Sequence, residues 1–550
     1  MPSKNIKDYV VRVTGLQPQN LPFFTAHGID IENTVGSVDQ SNKSLLYERL
    51  VEEHSARLNL YNIFLNAYYE GTAGNFTDYE VSGASPVTYK LSRLIVNKHA
   101  NYLMNKGFLA ETDFIETQEY LQRFFKDNNL GEKEYNLNGL NLALLGGITG
   151  DVFLFLYYEE EEKKFKLDIL EPYHTFPTLE KNKKIKNLIY YKKVNVYGDY
   201  DSNFDKNFEQ MYEGYLITNN SIIYIRDDKK VNEVVFDLNK LPVYHIQNFP
   251  NPAGFYGISD LYSVIDLNSK VDKILTNLSD IIDYHSNPIT IIKGAKQSEL
   301  YKGTNRVWFL PSAESDVYNL GLDVSLSETK DYLERLIDMM LSSSYLNRNV
   351  FGKETGISNT PSSSLALTLN SVYEYLEVRR ITYGTTLINL SKDLLKMAMI
   401  KDDIKINEVI NKAISRWEME FSNYSDDIKE KFYPFSEKIE KEKIYNIEDI
   451  LENRIPRELF NIYITWFPPF NRDEKIANDI AIANVNSGLW SKRHARSFIG
   501  MNEKESILMD REIKLMDEAV IEKDNETTTI TNKTGLEGLE DIKSINQTTR

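Results

Sequence analysis

GISDLYSVIDLNSKVDKILTNLSDIIDYHSNP, residues 257–288, is the stretch on which the fold turns. Leu261, Val264, Ile265, Val271, Ile274, Leu275, Leu278, Ile281 and Ile282 recur mostly at steps of three and four. Asp260, Asp266, Lys270, Asp272, Lys273 and Asp280 fall mostly off that stripe. The spacing predicts one amphipathic helix of about 45 Å, stopped by Asn287-Pro288. An isolated chain would expose the stripe, so the helix calls for a large partner surface. ETKDYLERLIDMMLSSSYL (328–346) predicts a second amphipathic helix. Between the two lie a short strand, ITIIKG, a helical turn, KQSELYKG, and a second strand, NRVWFLP, which together make a small α/β insert.

Toward the N-terminus, residues 1–40 hold scattered prolines and glycines and read as an irregular arm. Helices are expected from about Ser44 to Tyr69, after Pro86, and over about 115–128 and 133–146. Residues 151–247 alternate as strands and predict a sheet. Toward the C-terminus, NRNVFGKETGISNTPSSS (347–364) is a polar loop with little to bury. A helix of about 35 residues follows, with a kink expected at Gly384. Residues 401–455 are mixed and charged, NIYITWFPPF (461–470) is a strand, and short helices run to about 523. The stretch from Asp524 is Thr- and Asn-rich and is expected to be disordered.

The 550 residues exceed one ordinary domain, and their 41% apolar and 26% charged composition is that of a globular chain. The net charge of −17 argues against a protein that coats phosphates. An acidic chain can still enclose DNA that it must not grip. With no cysteine, disulfides, thiolate metal sites and cysteine nucleophiles are excluded. The beginning of the chain carries no signal-peptide apolar core, and the most apolar stretch (140–158) is cut by paired glycines and Asp151, so no membrane span is expected.

Signs of catalysis are missing. GGITGD (146–151) lacks the Gly-Lys-Ser/Thr ending of a phosphate loop and reads as a helix-to-strand turn. The seven histidines show no helical metal pair, and neither HExxH nor GxSxG occurs. EEEE (159–162) reads as a solvated hairpin tip. No cofactor and no enzymatic activity are expected. A metal-dependent nuclease or hydrolase stands as an alternative.

The order of parts resembles the portal proteins of tailed bacteriophages, particularly the siphovirus-type family of phages of Gram-positive hosts. The resemblance covers about residues 45–520; another structural virion or connector protein stands as a further alternative. It is carried by YYEGTAGN with LSRLIVNKHANYLMNKG, by GDVFLFLYY with LDILEPYHTFPTLE, and most specifically by LPVYHIQNFPNPAGFYGISDLYSVIDLNSKVDKILTNLSDIIDYHSNPITIIKG. SSLALTLNSVYEYLEVRR and ITWFPPFNRDEKIANDIAIANVNSGLWSKRHARSFIGMNEKESILMDREI continue it.

The resemblance implies a mixed α+β, elongated multi-part subunit of a ring-shaped oligomer, with long stem helices around a central channel. Its parts would be an N-terminal arm at 1–40, a wing at 41–256 completed by 362–470, stem helices at 257–287 and 328–346, a clip at 288–327, a tunnel loop at 347–361, a helical crown at 471–523 and a tail at 524–550. It implies a homo-oligomeric ring of twelve at one capsid vertex of the virion, assembled in the host cytoplasm. Double-stranded DNA would pass transiently and without sequence preference, driven in by the terminase large subunit and leaving on infection. A head–tail adaptor, the major capsid protein and a scaffold protein would be the other partners. Residues expected to face DNA are Arg348, Asn349, Lys353, Ser358 and Asn359 in the tunnel loop, and Lys270, Lys273 and Lys293 on the stem and its clip end. The stem lysines have a plainer alternative, pairing with Asp266, Asp272 or Asp280 of a neighbouring helix. Lys492, Arg493 and Arg496, beside His494, form a basic run in the crown that could meet DNA or scaffold.

Overall fold

The structure, a computed structural model, describes residues 44–72, 87–131, 133–196, 209–235, 240–286, 289–293, 316–320, 326–351, 370–420, 433–436, 439, 444–467 and 481–487. Residues 1–469 and 470–550 form two separate compact units. In the second, the described residues are one turn-and-a-half of helix at 481–486 and the turn residue after it.

The first unit opens with α1 (Leu45–Glu53) and α2 (Ser55–Tyr69). Ser44 caps α1 by accepting from the Tyr47 amide. The single helix expected here is broken at His54, whose backbone (φ −102°, ψ 14°) is non-helical. α3 (Leu91–Met104), strand β1 (Phe108–Thr112), α4 (Ile115–Asp127) and α5 (Leu137–Thr149) follow. α5 ends at Gly150 (φ +90°), where an added Cβ would lie 2.8 Å from the Ser259 amide nitrogen. GGITGD is thus a helix-to-strand turn, and β2 starts at once at Asp151.

The strand-rich segment folds into two sheets, where the sequence suggested one. β2 (Asp151–Glu159) pairs with β3 (Lys164–Leu170) and β9 (Val243–Gln247), all antiparallel, in the order β3-β2-β9. β4 (Thr175–Leu179), β5 (Ile185–Val196), β6 (Glu209–Ile217), β7 (Ser221–Arg226) and β8 (Lys229–Val235) form an antiparallel meander in chain order. The inner strands β5 and β6 are covered on both faces. Ile189, Tyr191, Tyr212 and Leu216 pack against Leu46, Leu50, Leu58 and Tyr61 of α1 and α2. Leu188, Tyr190 and Ile217 pack against Phe153, Phe155, Leu170 and Val243 of the smaller sheet. Double coverage explains why β5 reads as the unbroken apolar run LIYY.

The chain then enters α6 (Ile265–Ser286), β10 (Ile289–Lys293), β11 (Asp316–Leu320) and α7 (Leu326–Ser343). β10 and β11 are antiparallel, and α6 touches α7. The partner of β10 is 316–320; NRVWFLP and the turn KQSELYKG lie outside the described residues. α6 begins at Ile265, since residues 257–264 form turns, so it spans about 33 Å and falls short of the length first expected. Arg348–Phe351 is a short 3₁₀ helix.

α8 (Asn370–Ile400) is helical throughout, Gly384 included. The Trp466 indole lies beside Gly384, 3.5 Å from where a Cβ would stand, an ordinary contact distance. α9 (Ile406–Glu420) and the short α10 (Ile447–Leu451) lead to β12 (Ile462–Trp466). β12 pairs antiparallel with β1, from Phe108 opposite Trp466 to Thr112 opposite Ile462, tying an early strand of the first unit to its last described one.

Candidate functional site: the long helix pair and its polar root

α6 and α7 are joined to the body through a buried cluster centred on Asp260. The loop 248–264 is laid against the end of α5: the Asp260 amide donates to Gly147 O at 2.9 Å and Ser259 Oγ to Ile148 O at 2.6 Å. Gly146 and Gly147 are small for this reason. A Cβ at 147 would sit 2.9 Å from Asp260 Oδ2, and one at 146 would sit 2.2 Å from the Tyr383 hydroxyl.

Four side chains converge on the Asp260 carboxylate. Asn248 Nδ2 donates at 2.7 Å, the Tyr375 hydroxyl at 2.5 Å and Arg379 Nη1 at 3.3 Å, while His99 Nδ1 lies 3.1 Å away. Asp260, Arg379 and His99 are buried. Burial pushes the Asp260 carboxyl up, but Arg379 and then His99 outweigh it and hold it well below the usual carboxylate range. The other ring nitrogen of His99 lies 2.9 Å from Ser344 O, just past α7. His99 therefore bridges the entry to α6 and the exit from α7. Tyr375 stacks on Phe249 and on Tyr345, whose φ is +59°, at 5.4 and 4.9 Å between ring centres.

The first turns of α6 carry a second buried cluster. Asn268, Asp272 and Thr276, four residues apart, share one face and are fully buried. Asp272 accepts from the Tyr89 amide at 2.7 Å, the Thr72 amide at 3.2 Å, the Thr72 hydroxyl and Asn268 Nδ2. Thr276 accepts from the Val87 amide at 3.0 Å. Burial raises the Asp272 carboxyl despite these donors. A third carboxylate, Asp151, takes the Tyr61 hydroxyl at 2.6 Å and the Gly257 amide at 2.7 Å, with His245 Nε2 2.8 Å away.

Beyond the root the pair opens to solvent. Along α6, Ile265 and Val271 are buried, Ile274, Leu275, Leu278 and Ile281 are half-buried, and Ile282 is 48% exposed. The stripe is thus partly sequestered by the chain's own body, contrary to the full exposure expected. Among the described side chains of α7, Leu336, Met340 and Leu341 are buried, while Tyr332 and Met339 are 46% and 56% exposed.

Lys270 and Lys273 stand exposed on α6, and Lys293 is exposed at the end of β10. The Asp272 oxygens are buried and already occupied by Thr72, Tyr89 and Asn268, so of the three aspartates Asp266 and Asp280 are the ones open to a neighbour's lysine. Arg348 turns back onto α7, where its Nη2 meets Asp338 Oδ2 at 2.9 Å, its Nε meets Asp338 Oδ1, and Glu334 lies 3.7 Å away. Asn349 belongs to the same 3₁₀ turn. Lys353, Ser358, Asn359, Lys492, Arg493 and Arg496 lie outside the described residues. Asp260, Arg379, His99, Tyr375 and Asn248 were not singled out from the sequence, where Asp260 and Asp272 were read as polar positions off the stripe. The spacing of Asn268, Asp272 and Thr276 was the available signal. Among the described residues no group of His, Asp and Glu could hold a metal ion, and no helix is long and apolar enough to cross a membrane.

The chain matches the family model described as "Phage portal protein, SPP1 Gp6-like" over residues 51–421. It belongs to that family. The match takes in every part of the polar root, both helices of the long pair and all of α8 and α9. Portal proteins are a structural family and not an enzyme family. No curated protein gives a match to the chain.

Proposed function

We propose that this portal protein forms the ring, twelvefold in the virion, through which double-stranded DNA is packaged and later ejected. The observation that carries the reading is a long, amphipathic helix pair, rooted in a rigid polar cluster and open along its outer half, within a chain of the portal family. Copies set side by side around an axis would cover Ile282, Tyr332 and Met339 and line a channel. In this reading α6 and α7 are the stem, 288–327 the clip, 347–361 the tunnel loop, 41–256 with 362–470 the wing, and 471–523 the crown. The terminase large subunit and then the head–tail adaptor would meet the clip, and scaffold and major capsid protein the outer ring.

The electrostatics suit passage without retention. Each phosphate contact adds affinity, and so drag. A net charge of −17 per subunit repels a duplex when multiplied around a ring. Lys270 and Lys273, exposed on α6, supply weak cationic contact along the channel, whereas Arg348 is largely neutralised by Asp338 and Glu334. The test is packaging by Lys270→Ala/Lys273→Ala and Arg348→Ala/Lys353→Ala portals that still assemble. Altered packaging rate or yield in the first pair supports the reading; unchanged packaging in both removes these residues from it.

A further inference from the structure

The chain leaves α7 through a turn that is held from several sides. Tyr345 takes φ +59°, and the Leu346 amide reaches back to Leu341 O at 2.9 Å. Helices usually give this left-handed closing position to glycine. A tyrosine there is strained and persists only where its surroundings hold it. Its ring stacks on Tyr375, and Ser371 Oγ donates to its carbonyl at 3.2 Å. A His99 ring nitrogen lies 2.9 Å from the preceding Ser344 carbonyl oxygen. The 3₁₀ turn Arg348–Phe351 follows at once, and Lys98 Nζ of α3 stands 5.6 Å from the centre of the Phe351 ring.

Arg348 supplies the last hold, by a planar fork laid on α7. Nε and Nη2 reach the two oxygens of Asp338, Nη2 also donates to the Glu334 carbonyl at 3.2 Å, and Nη1 lies 3.7 Å from the Glu334 carboxylate. A fork on a carboxylate fixes direction as well as distance, which a point charge does not. Glu334 and Asp338 are four apart on one helix, so their charges repel unless a cation stands against both. Arg348 is that cation. The guanidinium edge that would grip a phosphate, Nε with Nη2, is occupied by Asp338.

We propose that Arg348 is a positioning residue: it locks the turn 348–351 onto Asp338, sets the direction in which the chain leaves the helix pair, and is not a contact to the duplex. The consequence rests on the channel reading, because the turn belongs to the segment assigned above to the tunnel loop; the lock itself does not. The two roles of this cation have opposite signs at Asp338. If Arg348 served DNA, removing Asp338 would free the guanidinium and tighten the hold on the duplex. Because it serves the turn, removing either partner unlocks the same backbone.

Arg348→Ala, Asp338→Ala and the double variant, as full-length proteins, separate these roles. In the 344–351 peptide the amides of Ser344, Tyr345, Leu346 and Val350 are hydrogen-bonded. Their hydrogen exchange is expected to quicken by about fivefold in each single variant and no further in the double, with the thermal midpoint unchanged. The swap Arg348→Asp/Asp338→Arg is expected to restore part of the protection. In portals that still assemble, both single variants are expected to lower packaging, and the double no more than either. Unchanged exchange in either single variant, or additive effects in the double, would overturn the lock. Packaging left unchanged by both, or lowered by Arg348→Ala and matched by tighter DNA retention in Asp338→Ala, would overturn the positioning role. Faster exchange in a protein that never closes into a ring would uphold the lock and overturn the channel reading.

Discussion

α8 and the α6–α7 pair are both long helical elements, but they are made on opposite plans. α8 buries one continuous face within its own chain, from Val372 and Leu376 to Leu387, Leu394 and Met399, and even its polar Arg379, Ser391 and Asp393 are enclosed. α6 and α7 are buried at their root and open beyond it. A helix whose apolar face is covered from end to end by its own chain is complete within one chain. A helix with one apolar face left half-open is complete only with a partner. The division places fold stability in α8 and the Asp260 cluster, and leaves the outer helix pair for assembly.

The comparison is broken most severely at Asp260. Asp260→Ala leaves Arg379 charged and unpaired in the core, and loss of one partner of a buried pair costs roughly 3–5 kcal/mol. A large fall in the thermal midpoint, or failure to fold, is expected; a midpoint near wild type would show that the cluster is not the frame of the body. Asp272→Ala, in the first turns of α6, strands the Thr72 and Tyr89 amides and should cost about 1–3 kcal/mol by denaturant titration.

Acid sharpens the contrast from the side of the body. Burial, and then the nearby Arg57, push His54 down to about 3. Between pH 6.5 and 3 the unfolded chain binds a proton there that the folded chain refuses. The stability that neutral His54 contributes is therefore fully present above pH 6.5 and is lost as pH falls toward 3. His54→Gln should flatten the stability profile across that window; an unchanged slope would assign the acid response elsewhere. The smallest effect belongs to the open helix face. Lys270→Ala/Lys273→Ala should change stability by no more than about 0.5 kcal/mol while altering DNA passage. A loss comparable to that of Asp272→Ala would mean that these lysines are structural.

What could be read from the sequence follows the same division. Periodicity reported the helix pair and the sheet-rich segment because each has a simple repeat of three to four or of two residues. It misplaced the start of α6, since Leu261 and Val264 continue the apolar spacing through the turns that build the root. It passed over β1, five residues long and paired with a strand more than 300 positions away. It read Asp260 and Asp272 as surface charges, because burial of a carboxylate depends on donors from distant segments: His99 and Arg379 for one, Thr72 and Tyr89 for the other. The roles of the cationic residues depend on neighbours in space for the same reason, as the return of Arg348 onto Asp338 shows.

The central claim is that the open helix pair is completed by copies of the same chain around an axis. Electron-microscope class averages of the concentrated full-length protein, with mass by light scattering, test it most directly. The account predicts closed rings of about a dozen subunits with a central hole. A compact monomer or dimer that persists as the protein is concentrated, and in the presence of scaffold and capsid protein, would contradict it.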